Sequence, residues 1–233
     1  MLDDPEIEKI YIGILRRVQK FKNGDVAASM REKGILYKVN LGVSVLDMRE
    51  ISSEYSANHL LALKLWNKNW RETRILATML DEPDLVTEEQ MDFWTKSFDN
   101  TEIAEHTVAN LWVKTRYAFI KALEWCRGKK HIVRFTGLQL IGRLAMVDKS
   151  AIDEMFEPFF EELAPLAKDP KLNIVFYRSF NLLGSRSKHL NTMAVEFAKK
   201  LKSGESENAK KLAGSILEEL TSEDVAQKLK GAE

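Results

Sequence analysis

The chain has 233 residues, 45% of them hydrophobic, with only 5 prolines and 11 glycines, which gives enough apolar material for a sizeable core and too little turn chemistry for a loop-rich all-β protein. Its 35 basic and 35 acidic side chains cancel, which argues mildly against the basic footprint of a typical nucleic-acid binder. A single cysteine, Cys126, excludes an intrachain disulfide and a cysteine-based metal site; no apolar run approaches the ~20 residues of a membrane span, and "MLDDPEIEK" has no apolar signal core, so a soluble cytoplasmic protein is expected.

Helical periodicity runs nearly throughout. The first break falls at Asn23-Gly24. "ILYKVNLGVSVL" (35–46) comes nearest to a β pattern and reads equally well as a connection around Gly42. "HLLALKLW" (59–66) and "RILATML" (74–80) place apolar residues at steps of three and four. After Pro83, Thr87 and Gln90 form a capping box. Beyond Gly128, "GLQLIGRLAM" (137–146) is helical again. Ser150 with Asp153 suggests another start, Pro170 another break. Met193, Phe197 and Leu201 share one helix face; Ser203-Gly204 ends it, and Ser222 or Thr221 caps the last helix. About a dozen helices of roughly 8 to 20 residues follow, in one continuous all-helical domain over 1–233.

Three of these helices look alike. "WRETRILATML" (70–80), "HIVRFTGLQLIGRLA" (131–145) and "NIVFYRSFNLLGSR" (173–186) each set an early arginine before an apolar stripe. Arg134 and Arg178 lie 44 residues apart, near the period of HEAT or armadillo units; the gap from Arg74 to Arg134 is longer and fits no single repeat. Charge is uneven as well: residues 1–100 carry net −3, 101–200 net +5, and the remainder net −2.

Walker, GxGxxG, GxSxG and HExxH signatures are absent, and the four histidines form no i,i+4 pair. No metal or cofactor is expected. The five tryptophans read as packing between helices. "FDNTEIAEH" (98–106) reads first as a helix start, with Asp99 as cap, Glu102 at the third position of a variant capping box, and Glu105 against the positive end of the helix dipole.

The stretches "NLGVSVLDMREIS" (40–52), "WRETRILATMLDEPDLVTEEQMDFWTKSFDN" (70–100), "WCRGKKHIVRFTGLQLIGRLAMVDK" (125–149) and "LEELTSEDVAQKL" (217–229), taken in order, are similar to the bacterial DNA alkylation repair proteins of the AlkD type. The resemblance implies an all-α, right-handed superhelical solenoid of HEAT-like repeats, of the armadillo type, around duplex DNA. It also implies a monomeric DNA glycosylase that removes cationic N3- and N7-alkylated purines without drawing the base into a pocket. Ordinary glycosylases flip the base out. A carboxylate and electron-rich aromatic faces would stabilise the oxocarbenium-like sugar instead.

Carried over position by position, the resemblance puts Thr101 where the family has a first tryptophan and Glu105 where it has an aspartate. Arg134 matches the family arginine, and Phe180 falls where a second tryptophan belongs. Three of these four positions depart from the pattern. Glu105 keeps the charge with one more methylene, Phe180 keeps an aromatic ring, and Thr101 has none. Thr101 and Glu105 share a helix face. The candidate catalytic set is therefore Glu105, Phe180 and Thr101, with Arg134 as phosphate clamp. Lys114, Arg116, Lys129, Lys130, Arg178, Arg186 and Lys188 are the candidate backbone contacts to alkylated double-stranded DNA. The competing expectation is a HEAT-like protein that binds DNA of unusual shape, or another protein, without chemistry.

Overall fold

Most helix starts in this chain are written into single polar side chains. A computed structural model describes residues 4–231, and among them lie fourteen α-helices, three short 3-10 turns and no β-strand. The chain divides between Arg116 and Tyr117 into two compact units.

The first unit holds α1 (Pro5–Lys20), α2 (Gly24–Glu32), α3 (Val45–Ser53), α4 (His59–Lys68), α5 (Arg71–Leu80), α6 (Glu88–Lys96) and α7 (Thr101–Asn110). Asp4, Asn23, Ser44, Asn58, Thr87 and Asn100 each accept a backbone N–H of the first turn that the helix itself leaves unpaired. Thr87 caps α6 as expected, through Gln90 N–H at 3.2 Å. The Gln90 side chain does not close the box; it donates to Asp81 instead, at 2.7 Å. Residues 35–44 form a connection and α3 begins at Val45. Gly42 is indispensable there: its φ is 71°, and a Cβ would lie 2.0 Å from the Asn23 carbonyl oxygen.

Helix α5 packs against α3, α4 and α7, and nearly every residue on it is buried, including Arg71, Glu72, Thr73, Arg74 and Thr78. A buried helix with charges in its first turn is stable only if each charge is paired. Beside it Trp66 and Trp94 stack with centroids 3.8 Å apart and planes 2° from parallel, and Trp112 leans on Trp94 at 5.6 Å. These three tryptophans pack between helices, as does Trp125 in the other unit.

The second unit holds α8 (Ala118–Cys126), α9 (His131–Val147), α10 (Phe159–Leu166), α11 (Asn173–Gly184), α12 (Lys188–Lys202), α13 (Glu207–Leu220) and α14 (Glu223–Lys230). Neighbours in sequence pair in space: α8 on α9, α9 on α11, α11 on α12 and α13, and α12 on α13. Short helices paired in this way cannot bury their apolar faces alone, so each depends on the next. The α9–α11 contact is close because Gly142 faces Ser179; a Cβ there would come within 2.7 Å of the Ser179 Cα. Ser150 starts no α-helix. Its hydroxyl and N–H both go to Asp148, and only a 3-10 turn, Asp153–Met155, follows. Ser222, not Thr221, caps α14.

Candidate functional site

The start of α7 meets the buried arginines of α5. Asn100 caps the helix, and its amide also donates to the Leu36 carbonyl at 2.9 Å. Asp99 is therefore not the cap. It accepts from Arg74 Nη1 at 2.8 Å, while Arg74 Nη2 donates to the Ser97 carbonyl at 3.1 Å. The Arg74 guanidinium lies 4.5 Å over the Trp66 ring.

Glu102 is not a capping-box residue either. Its carboxylate accepts from Arg71 Nη2 at 2.8 Å and Nε at 3.0 Å, and from the Tyr37 hydroxyl at 2.8 Å. Arg71 also donates to the Val43 carbonyl at 2.8 Å and to Glu72 at 3.2 Å. Glu72 in turn accepts the backbone N–H groups of Leu41 and Val43. One cation and two carboxylates thus hold the 36–43 connection, α5 and α7 together. Arg71, Glu72 and Glu102 carry a formal net charge of −1.

The surroundings set the protonation states. Burial works to raise the Glu102 carboxyl, but the hydrogen bonds and charge of Arg71, helped by Tyr37, hold it below the ordinary carboxylate range. Burial, reinforced by the Glu102 charge, keeps the Tyr37 phenol far above its usual range and hence protonated. Burial lowers His106, one turn after Glu102; the attraction of Glu102 opposes this, and Arg71 and Arg49 reinforce it. At neutral pH the arrangement is an ionised carboxylate, a neutral phenol donor and a neutral imidazole. A fixed negative charge in a partly buried setting can stabilise a cation that develops beside it. Its hydrogen bonds to Arg71 make it a poor base.

Thr101 and Glu105 share the neighbouring face of α7, and both are exposed. Phe180 requires a correction. It is 2% exposed and packs among Phe160, Phe176 and Phe197 at centroid distances of 5.3 to 5.8 Å, so its ring has no face for a sugar. Arg134 lies in the first turn of α9 with its guanidinium 3.6 Å from Asp169. Arg186 also requires a correction. Its guanidinium donates to the Ala145 and Ala151 carbonyls and covers the Phe156 ring at 4.4 Å. That side chain staples a loop and is unavailable to a phosphate. Lys114, Arg116, Lys129, Lys130, Arg178 and Lys188 are exposed.

Sequence reasoning missed Arg71, Tyr37 and the role of Glu102. A signal was present in "WRETR": two arginines in the first turn of a helix oppose its dipole, so they demand partners elsewhere.

A family of proteins described as DNA alkylation repair enzyme matches residues 14–157 of the chain. No curated protein matches it. A solved structure described as "a new family of proteins related to the HEAT-like repeat DNA glycosylases with affinity for branched DNA structures" superposes with a TM-score of 0.73, at 16% identity, over 94% of this chain and 95% of that one. The likeness establishes the fold: all-α, built of HEAT-like helical repeats.

Proposed function

We propose, since the chain belongs to the DNA alkylation repair enzyme family, that it grips duplex DNA by the sugar–phosphate backbone and hydrolyses the N-glycosidic bond of cationic N3- or N7-alkylated purines weakly or not at all. One observation carries this reading. Neither position at which the resemblance implies a tryptophan offers a ring to the sugar, because Thr101 has none and Phe180 is in the core. What remains for chemistry is carboxylate: Glu105, exposed on α7, and Glu102 behind it in a cluster of net negative charge. A cationic purine is a good leaving group, and a nearby negative charge lowers the barrier to the sugar cation. Without aromatic faces that assistance is small.

Binding rests on exposed cations, namely Lys114, Arg116, Lys129, Lys130, Arg178 and Lys188, with Arg134 beside Asp169. Phosphate contacts of this kind position a protein without reading sequence. The affinity for branched DNA stated for the structurally similar protein favours DNA of unusual shape as a ligand.

The test is single-turnover excision on duplex DNA carrying 7-methylguanine or 3-methyladenine, with binding measured across a salt series. Binding that weakens steeply with salt, with base release at or barely above the spontaneous rate, is the expected result. Fast release that Glu105→Ala abolishes would restore the full glycosylase reading. Absence of salt-sensitive DNA binding would sink both, in favour of a protein scaffold.

A further inference from the structure

Helix α11 carries a second surface that neither the packing of the core nor the α7 cluster uses. Ile174, Tyr177, Arg178 and Asn181 stand at i, i+3, i+4 and i+7, hence on one helix face. Val175, Phe176, Ser179, Phe180 and Leu183 of the same helix are buried. Ile174 is 71% exposed. The stripe forms one wall of a groove whose other wall is α13 and the start of α14. A hollow of about 760 Å³ adjoins one of about 530 Å³, and the two share Tyr177, Arg178 and Glu219. That is ample room for a nucleotide-sized ligand.

The chemistry of the walls is selective. Tyr177 stacks on no other ring among the described residues, and its hydroxyl donates to Glu219 at 3.4 Å. The Asn181 amide lies beside that hydroxyl, with its oxygen and nitrogen both buried. A ring with no aromatic neighbour is a platform on which the flat face of a base can stack. Arg178, exposed one residue from Tyr177, supplies a cation for a phosphate.

We propose that this groove holds one unpaired nucleotide of DNA, its base stacked against the Tyr177 ring and its phosphate on Arg178. This assignment presupposes the DNA binding proposed above. A base within an intact duplex is stacked and paired and cannot reach the site, so the groove distinguishes distorted or branched DNA from regular duplex.

The experiment compares the affinity of the whole protein for a duplex with a single-nucleotide bulge and for the same duplex fully paired, in wild type, Tyr177→Phe and Tyr177→Ala. Wild type and Tyr177→Phe are expected to prefer the bulge by roughly tenfold, the scale of one base–aromatic stack. Tyr177→Ala should lose that preference while its affinity for paired duplex stays unchanged, which also shows that the variant is folded. In wild type, a 5-iodouracil placed at the bulge should photo-crosslink to the peptide that contains Tyr177. Bulge and paired duplex bound equally well by wild type, or a preference that survives Tyr177→Ala, overturns the groove and leaves DNA binding standing. No binding to either DNA overturns both.

Discussion

Replacing Glu102 by glutamine tests the charge cluster directly. Glutamine keeps the shape and one oxygen, but sets an amide N–H where Arg71 or Tyr37 donates. The carboxylate is 17% exposed, and its Arg71 partner is 4% exposed. Breaking a buried pair outright costs about 3–5 kcal/mol. Arg71 retains Glu72 and the Val43 carbonyl, so a loss of about 2–4 kcal/mol is expected at pH 7. That is a large part of a typical total of about 5–15 kcal/mol. The pH dependence follows from the sign of the shift. The folded-state pKa of Glu102 lies below its unfolded value, so its contribution is complete above the unfolded pKa and disappears as pH falls through the folded one. Urea unfolding, followed by fluorescence of the Trp66–Trp94–Trp112 group, should show the two proteins furthest apart at pH 7 and converging below about pH 4. A difference under about 0.5 kcal/mol at pH 7, or one independent of pH, would refute the reasoning.

Phe180→Ala should cost about 3–5 kcal/mol in the same unfolding assay, the magnitude for an aromatic deleted from a core. The folded fraction should keep the wild-type salt dependence of DNA binding; lost DNA contact at unchanged stability would return Phe180 to the site. Arg178→Ala should lower the slope of log affinity against log salt by about 1, measured by titration. Arg186→Ala should leave that slope alone and reduce thermal stability, because its guanidinium holds the Ala145 and Ala151 carbonyls. The Cys126 thiol is buried and pushed up to about 12, by burial first and then by the charge of Glu162. Iodoacetamide at pH 8 should therefore label it only after denaturation.

Much of the helical framework was legible because its causes are local. Thr87, Ser222 and the Asn23-Gly24 break act within a turn of where they stand, and apolar residues at steps of three and four announce a helix wherever it later packs. Errors arose where a side chain had a choice of partner. Asp99 and Glu102 occupy positions that suit a helix start, and spacing alone assigned them to it. Ser150 and Asp153 have the spacing of a cap, yet Asp148 takes the Ser150 hydroxyl first.

The candidate site divides in the same way. That Thr101 and Glu105 share a face of α7 follows from the period of a helix and needed no structure. That Phe180 is core and Arg186 a staple is settled by Phe160 and Phe197 and by the Ala145 and Ala151 carbonyls, all distant in the chain from the side chains they engage. The sequence by itself determined where many of the helices begin, which face of each is apolar, and how charge is distributed along the chain. Only the tertiary structure decided which charges are buried. Arg71 and Glu102 are 31 residues apart, and a charge removed from water pairs with whatever opposite charge the fold brings within about 3 Å, not with its neighbour in sequence.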